Sequence, residues 1–419
     1  MPALKPALRV SLGQARGIAV AAQGFPPVPG RSIVQVLEET GFVRTLGGVD
    51  IYLAVRARVP GMTRDDLDGV VEAHEAQIIP AVRGCMYLVP RRDVPLSLKV
   101  AALLSRPRDE KDQEKAGIRP GEVEEVAKAA LQTLRERGPL TTDALRKALP
   151  EGTVRSLGEQ GKKVGISSPL PGALRVLEFE GQVERTLEGR RLDSERYRWR
   201  ATAKSPFEGV RLTEDPLDLF AGMARLFFRA AGLATQKDFA GWAGISQRDA
   251  KAAIERTGLL PASVEGLDEV HYLFEERAPA EVSEAVAFLP FEDNLVHLHG
   301  GPAFLVDAAH HDIPVPSWGT SKTLPLGEAK HMSLRGIVAE GKIAGFWEYD
   351  PDVREVVYKG FSGLSAATRK KLDVAARDLS HFLADDIGHG RSFNLDTDEE
   401  LKKRAGQIRA MQGRGKPLP

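Results

Sequence analysis

The sequence is poor in cysteine, balanced in charge and without long apolar runs. Cys85 is the only cysteine among 419 residues, which excludes an internal disulfide and a zinc site built on cysteines. Lysine plus arginine and aspartate plus glutamate both number 58, so any basic surface has to be local. No apolar run approaches the ~18 residues that a membrane-spanning helix needs. We therefore expect a cytoplasmic protein with no membrane partner.

Two common catalytic signatures are also missing. The sequence contains no Gly-x-Gly-x-x-Gly segment for dinucleotides and no Gly-x-Ser-x-Gly segment for a serine nucleophile. The N-terminal stretch carries basic residues but no uninterrupted apolar segment, so we expect no export peptide. These absences predict a protein that works without a bound cofactor.

The most informative segment runs from Pro139 to Arg200. It begins with "GPLTTDALRKAL", which has the pattern of a short helix with Thr141 or Thr142 as its N-cap. A second helix follows in "PGALRVLEFEGQV", and "VERTLEGRRLDSERYRWR" then gives two strands around a charged turn. This order of elements is typical of a winged helix.

Arginines alternate with aromatic residues in the hairpin of this segment. Guanidinium groups contact phosphates and aromatic rings stack on bases, so the hairpin is a candidate for nucleic-acid binding. The alternative is a solvated edge hairpin, because acidic residues balance the charge. The candidate DNA contacts are Arg185, Arg190, Arg191, Arg196, Arg198, Arg200, Tyr197 and Trp199.

The N-terminal part predicts helices over residues 11–23 and 31–40, then a tight Gly47-Gly48 turn before Asp50. A carboxylate beside such a turn is a candidate catalytic acid, and the alternative is that Asp50 caps a helix that starts at Ile51. Arg44 and Arg83 are candidates for phosphate contact, with ordinary surface arginines as the alternative.

Histidines cluster late in the chain. His297 and His299 would lie on one face of a strand, and a His-x-His pair can bind a divalent metal. The remaining ligands would have to come from nearby residues, such as aspartates, without recognisable spacing. Ordinary hydrogen-bonded histidines are the favoured interpretation, so we name no metal ligand.

Composition and pattern divide the chain into consecutive segments. The charged stretch 106–118 has almost no apolar residues and is expected to be a linker. The predicted segments are an N-terminal winged-helix-like domain (1–108), a central winged-helix domain with a basic wing (119–203), a third winged-helix segment (204–267), a β-rich segment (268–362), and C-terminal helices with a tail (363–419).

Six strings follow one another along the chain: "ARGIAVAAQGF", "YLAVRARVPGMTRDDLD", "AVRGCMYLVPRRDVP", "GLATQKDFAGWAGIS", "LPFEDNLVHLHGGPAFL" and "GIVAEGKIAGFWEYD". In this order they resemble the bacterial AlkZ-like group of tandem winged-helix DNA glycosylases, which remove alkylated or crosslinked bases. It implies an α+β fold of tandem winged helices around a concave DNA channel, followed by a β-rich segment. It also implies duplex DNA as the partner, hydrolysis of an N-glycosidic bond and a role in DNA repair.

The resemblance fails at one motif. The family positions its attacking water with Gln-aliphatic-Gln or Gln-aliphatic-Asp, and an ungapped comparison puts Arg44-Thr45-Leu46 there. A comparison anchored on "LGGV" leaves Asp50 as the surviving polar candidate. Asp50 and Thr45 are therefore the candidate catalytic residues.

Three hypotheses about function follow. The first is a monomeric DNA-repair glycosylase that uses Asp50 or Thr45. The second is a non-catalytic protein that binds damaged or distorted DNA on the same scaffold, because the water-positioning motif is not intact. The third is a metal-dependent enzyme built on the late histidines.

Overall fold

The computed structural model describes residues 8–275, 284–317, 322–393 and 396–411. The predicted C-terminal tail beyond residue 411 lies outside these ranges. Within them the protein is a mixture of α-helices and β-strands. None of the helices there combines the length and the apolar character that crossing a bilayer demands.

The helices, in chain order, are α1 (Leu12–Ala22), α2 (Ile33–Thr40), α3 (Asp50–Arg56), α4 (Arg64–Glu72), α5 (Val94–Lys115), α6 (Glu122–Arg137), α7 (Thr142–Ala148), α8 (Gly158–Lys162), α9 (Leu170–Phe179), α10 (Pro216–Ala231), α11 (Gln236–Ala243), α12 (Gln247–Glu255), α13 (Asn294–His297), α14 (Ala366–His381) and α15 (Asp398–Ala410). A π-helical turn, Phe382–Ile387, continues α14.

The strands are β1 (Leu8–Val10), β2 (Val43–Arg44), β3 (Ala76–Pro80), β4 (Met86–Pro90), β5 (Val183–Leu187), β6 (Tyr197–Ala201), β7 (Ala234–Thr235), β8 (Leu260–Val264), β9 (Val270–Leu273), β10 (Val286–Phe288), β11 (Pro314–Pro316), β12 (Thr323–Pro325), β13 (Arg335–Ala339), β14 (Lys342–Asp350) and β15 (Glu355–Gly360).

The chain forms two compact units. The first holds the chain up to Gly69, the short piece Leu192–Glu195 and everything from Ala221 onward. The second holds Val70–Arg191 and Arg196–Phe220. The five consecutive segments expected from the sequence stay a prediction.

Two four-stranded sheets organise the first unit. One has the order β1-β8-β9-β7, with Leu8 of β1 opposite Ala262 of β8 in a parallel pair. The other has the order β10-β13-β14-β15 with antiparallel pairs throughout, so that β13, β14 and β15 form a meander. Helix α1 begins as predicted, because the Ser11 hydroxyl accepts from the Gln14 amide in a capping box.

The core of this unit joins residues far apart in the chain. Ala19 and Phe25 near α1 pack in one cluster with Leu295, Phe346 and Ile408. Burial of such apolar side chains is the main favourable term in folding. The N-terminal helices are thereby fixed against the β10–β15 sheet, which positions the candidate site described below.

The second unit contains the helix–helix–hairpin segment. Thr141 is the N-cap of α7, because its hydroxyl accepts from the Ala144 amide at 3.2 Å. Strands β5 and β6 pair antiparallel with Val183 opposite Ala201, so the predicted hairpin is confirmed. The apolar faces of α6 and α9 meet there, with Leu134, Leu174 and Trp199 in one core.

The expected linker at residues 106–118 is wrong over most of its length. Helix α5 continues to Lys115. Exposed helix needs no apolar residues when its side chains are good helix formers and pair along the surface. Asp112 pairs there with Arg108 at 3.6 Å and with Lys115 at 3.2 Å. Low hydropathy therefore marked an exposed helical face and not a break in structure.

Candidate functional site

The Gly47-Gly48 turn delivers Asp50 to the start of α3. Both glycines have positive φ, 76° and 67°, which an L-residue with a side chain rarely adopts. A Cβ at Gly48 would lie 2.1 Å from the carbonyl oxygen of Arg391. The Val49 amide donates to that same carbonyl oxygen at 2.8 Å. The turn therefore has to be glycine for the backbone to approach so closely.

Asp50 does not cap its helix, so that alternative is wrong. Val49 is the N-cap and makes no side-chain capping bond. The Asp50 Oδ1 atom instead accepts from the Phe291 amide at 3.1 Å and lies 3.3 Å from Nε of Arg335. Burial raises the pKa of Asp50 to about 6, although the positive charge of Arg335 works against that rise. Asp50 is thus a buried carboxyl group whose pKa lies well above its ordinary value.

A small cavity opens beside Asp50. Its volume is about 20 Å³, which is room for one water molecule and far too little for a nucleobase. Its charged walls come from Arg44, Asp50, Arg58, Glu292 and Asp293. The remaining lining residues are Thr40, Val43, Ala54, Pro290, Phe291 and Asn294.

Glu292 is the residue that the sequence analysis missed. Its backbone φ angle is 57°, an uncommon value for a residue other than glycine. His331 Nδ1 lies 3.0 Å from both carboxylate oxygens, and Oε2 lies 3.5 Å from His297 Nδ1 and from Arg44 Nη1. Burial alone would raise the pKa of Glu292, but the His331 hydrogen bond and the neighbouring positive charges hold it below its ordinary value.

Nothing in the local pattern distinguishes Glu292 from the other glutamates of the sequence. It stands in "LPFEDNL" directly before Asp293, and only that position within the recognised string could have drawn attention to it. Its partner His331 is 39 residues away in the chain. Contacts at such a separation are fixed by the fold and not by sequence spacing.

Asp293 holds the same loop in place. Arg58 donates to its two carboxylate oxygens at 2.8 and 2.9 Å, in the two-pronged geometry that suits a guanidinium. Asp293 Oδ1 also accepts from the Leu295 amide at the start of α13. Both side chains are almost fully buried, so this pair anchors the loop that carries Glu292.

The expectation that His297 and His299 share a strand face is wrong. His297 ends the short helix α13, and His299 follows the helix. The ring nitrogens of His299 face the carbonyl oxygens of Leu295 and Leu233 at 2.7 and 3.0 Å. The structure therefore separates His299 from Glu292 and brings His331 to His297 instead.

Thr45 lies apart from the lining of the cavity. Its side chain is buried, and its hydroxyl has no hydrogen-bond partner among the described parts of the chain. Asp50 and Arg44 both line the cavity. The structure thus brings two of the sequence candidates to one place and leaves Thr45 outside it.

Part of the basic hairpin points into the second unit. Arg185 pairs with Glu178 at 2.7 Å and lies 4.2 Å from the Trp199 ring centre. Trp199 is 6 % exposed and its indole N–H donates to Thr142. Arg200 pairs with Glu184 at 2.7 Å. These contacts stabilise the hairpin, and they argue against Arg185 and Trp199 as DNA contacts.

Other candidate arginines lie on the surface. Arg196, directly before β6, and Arg198 on β6 are exposed and alternate with the inward Tyr197 and Trp199. Arg190 is 79 % exposed and pairs with Glu72. Arg191 is half-buried in the hairpin turn, and Arg83 is exposed at φ 54° in the turn between β3 and β4.

The fold and the site can be compared with known proteins. The solved structure of Streptomyces sahachiroi DNA glycosylase AlkZ is similar, with a TM-score of 0.66 and 16 % identity. The match covers 92 % of this chain and 99 % of that one. At this identity the match establishes the fold, which places the chain among mixed α/β proteins with the architecture of that glycosylase.

The sequence also matches a known protein family. The family model described as "DNA glycosylase AlkZ-like" matches residues 49–382, which include Asp50 and Glu292. The chain therefore belongs to the AlkZ-like DNA glycosylase family. No curated protein sequence matches it significantly. Membership of this family connects the chain to DNA repair and to a DNA substrate.

Proposed function

We propose that the protein is a DNA glycosylase that hydrolyses the N-glycosidic bond of a damaged base in duplex DNA. The observation that carries the proposal is the water-sized cavity beside Asp50, a residue that lies within the range that the family model matches. The tandem winged-helix arrangement, the DNA channel, the monomeric state and the cytoplasmic location expected from the sequence are parts of the same proposal.

Asp50 is the proposed water-holding group. In the reaction the C1′–N bond breaks and its electron pair leaves with the base, while a water oxygen bonds to C1′ and gives up a proton. The Phe291 amide and Arg335 both contact Oδ1 of Asp50, and Oδ2 is the proposed acceptor for the water proton. A base with a pKa near the working pH suits this task, and the pKa of Asp50 is raised to about 6.

The size of the cavity restricts the geometry of the reaction. A flipped base cannot enter a cavity of about 20 Å³. The damaged nucleotide therefore has to bind outside the cavity, while the attacking water occupies it. Asp50 and Glu292 place negative charge beside the sugar, where the transition state develops positive charge. We propose that this arrangement stands in for the family's Gln-aliphatic-Gln or Gln-aliphatic-Asp motif, which an ungapped comparison puts at Arg44-Thr45-Leu46.

Base release from alkylated duplex DNA tests the proposal. The wild-type protein should generate abasic sites, and Asp50→Asn should abolish them while leaving DNA affinity within twofold. Asp65→Asn is the matched control, because Asp65 is 79 % exposed and stands outside the cavity lining. Unchanged base release in Asp50→Asn would remove Asp50 from the mechanism.

A non-catalytic DNA-binding protein is the second candidate function. The observation that favours it is the departure at Arg44-Thr45-Leu46, where the family motif has its water-positioning side chains. This candidate predicts salt-sensitive binding to damaged duplexes without any abasic product from the wild-type protein. The same assay therefore separates the two functions.

A further inference from the structure

Three potential metal ligands from two parts of the chain meet next to the cavity. Glu292, His297 and His331 offer a carboxylate oxygen and two imidazole nitrogens that all lie within 4.8 Å of one another. We propose that these three residues form a binding site for a divalent transition-metal ion of the zinc type. The proposal does not depend on the glycosylase function.

The distances fit tetrahedral coordination. Metal–ligand bonds of about 2.0–2.1 Å at tetrahedral angles place neighbouring ligand atoms about 3.3 Å apart. The Nδ1 atom of His331 lies 3.0 Å from Glu292 Oε2, and that of His297 lies 3.5 Å from it. Both rings thus present the same nitrogen to the carboxylate at separations close to those around a bound ion.

The donor set matches zinc chemistry. Two neutral imidazoles and one carboxylate form the open type of zinc site, in which water takes the fourth position. A second cavity of about 20 Å³, lined by Glu292 and His297, gives room for that water. His331 is 43 % exposed on its side chain, so an ion can reach the cluster from solvent.

The backbone holds Glu292 in the required place. Its φ of 57° costs free energy that the surrounding contacts have to offset, and the buried Arg58–Asp293 pair beside it supplies such contacts. Two cations oppose a metal ion here. Arg44 lies 3.5 Å from Glu292 Oε2, and the exposed Lys330 lines the second cavity. They weaken the site without occupying Glu292 Oε1, which faces His331 at 3.0 Å.

Metal titration of the full-length, chelator-treated protein tests the site. We expect one Zn²⁺ per chain by calorimetry and a tetrahedral absorption spectrum with Co²⁺ as the optical probe. His331→Ala and Glu292→Gln should each weaken Zn²⁺ binding at least ~100-fold, more than the loss of an indirect partner costs. His381→Ala is the control, because that histidine is 82 % exposed and distinct from the cluster.

Two results would overturn the proposal. One is wild-type protein that binds no stoichiometric Zn²⁺. The other is equal affinity in the wild type, His331→Ala and Glu292→Gln, which would leave the cluster as a hydrogen-bonded ion pair only. Unfolding curves of each variant show that the chain is folded. Because the titration contains no DNA, its failure is distinct from a failure of base release.

Discussion

At the scale of single residues, the site is built from charged groups that burial makes costly. Asp50 and Arg335 are both less than 5 % exposed, and Arg335 has Glu348 as a second partner at 2.8 Å. Desolvation penalises such charges unless partners and hydrogen bonds offset it. For Asp50 the offset is incomplete, because its pKa remains raised to about 6. A side chain that works against folding in its ionised form is a candidate for function.

The stability of Asp50→Asn should depend on pH in a defined direction. A raised pKa means that Asp50 stabilises the fold fully below its ordinary value of 3.8 and loses this contribution as the pH rises through about 6. Raising the pKa from 3.8 to about 6 corresponds to about 3 kcal/mol. The wild type should therefore lose stability relative to Asp50→Asn as the pH rises. The difference between their free energies of unfolding should change by about 3 kcal/mol in favour of the variant between pH 4 and pH 7. Urea unfolding across this range measures it, and a constant difference would contradict the prediction.

Breaking the Arg58–Asp293 pair should be strongly destabilising. Arg58→Met removes the partner of an aspartate whose side chain is 1 % exposed, so a buried charge is left without compensation. We expect a loss of about 3–5 kcal/mol in the free energy of unfolding. Arg248→Met, at a side chain 90 % exposed, should change stability by less than about 0.5 kcal/mol. A similar small effect in both variants would mean that the pair does not anchor the Glu292 loop.

At the scale of elements, side chains that alternate between the two faces of a strand decide which arginines are exposed and can contact DNA. Strand β6 directs Trp199 into the core, while Arg196 and Arg198 are exposed. Period-two alternation was visible in the sequence, but which face is buried depends on what packs against it. Arg185 lies on β5 opposite Trp199 and forms an ion pair with Glu178. The hairpin thus divides its arginines between stability and surface charge.

Replacing the exposed arginines at positions 196 and 198 should weaken DNA binding. Arg196→Ala with Arg198→Ala removes two positive charges from the surface without touching the hairpin core. The affinity for a duplex should fall at least tenfold at low salt, because phosphate contacts dominate such binding. Arg108→Ala with Arg248→Ala removes the same charge at side chains 86 % and 90 % exposed and serves as the matched control. Equal losses in both double variants would mean that only net charge matters.

At the scale of the whole molecule, the balanced charge has a consequence for binding. With 58 basic and 58 acidic residues, long-range attraction to DNA is weak and binding has to come from local contacts. Each phosphate contact releases counterions, so the logarithm of the binding constant falls with the logarithm of salt concentration in proportion to the number of contacts.

The slope of this salt dependence should therefore report how many phosphate contacts the hairpin makes. If Arg196 and Arg198 each neutralise one phosphate, their double alanine variant should reduce the slope by about 2. Fluorescence anisotropy at several salt concentrations gives this slope for the wild type and the variant. Parallel lines for the two proteins would show that these arginines do not contact the backbone of the duplex.

Much of the local structure followed from the sequence. The helix over residues 11–23, a cap at Thr141 or Thr142, the Gly47-Gly48 turn and the β5–β6 hairpin were all predicted, because caps, glycine turns and alternation act over a few residues. The helical stretch up to Lys115 was missed, because low hydropathy describes exposed helix and linker equally well.

The mixed α/β class and the family could be recognised from the sequence, which also made Asp50 a candidate catalytic residue. Only the tertiary structure decided what surrounds that carboxyl group. The Phe291 amide that binds it is 241 residues away, and Glu292 meets His331 across 39 residues. Spacing rules reach only as far as one turn or one strand, whereas burial, ion pairing and pKa depend on neighbours brought together by packing of the core. The cavity and its charges therefore belong to the fold as a whole.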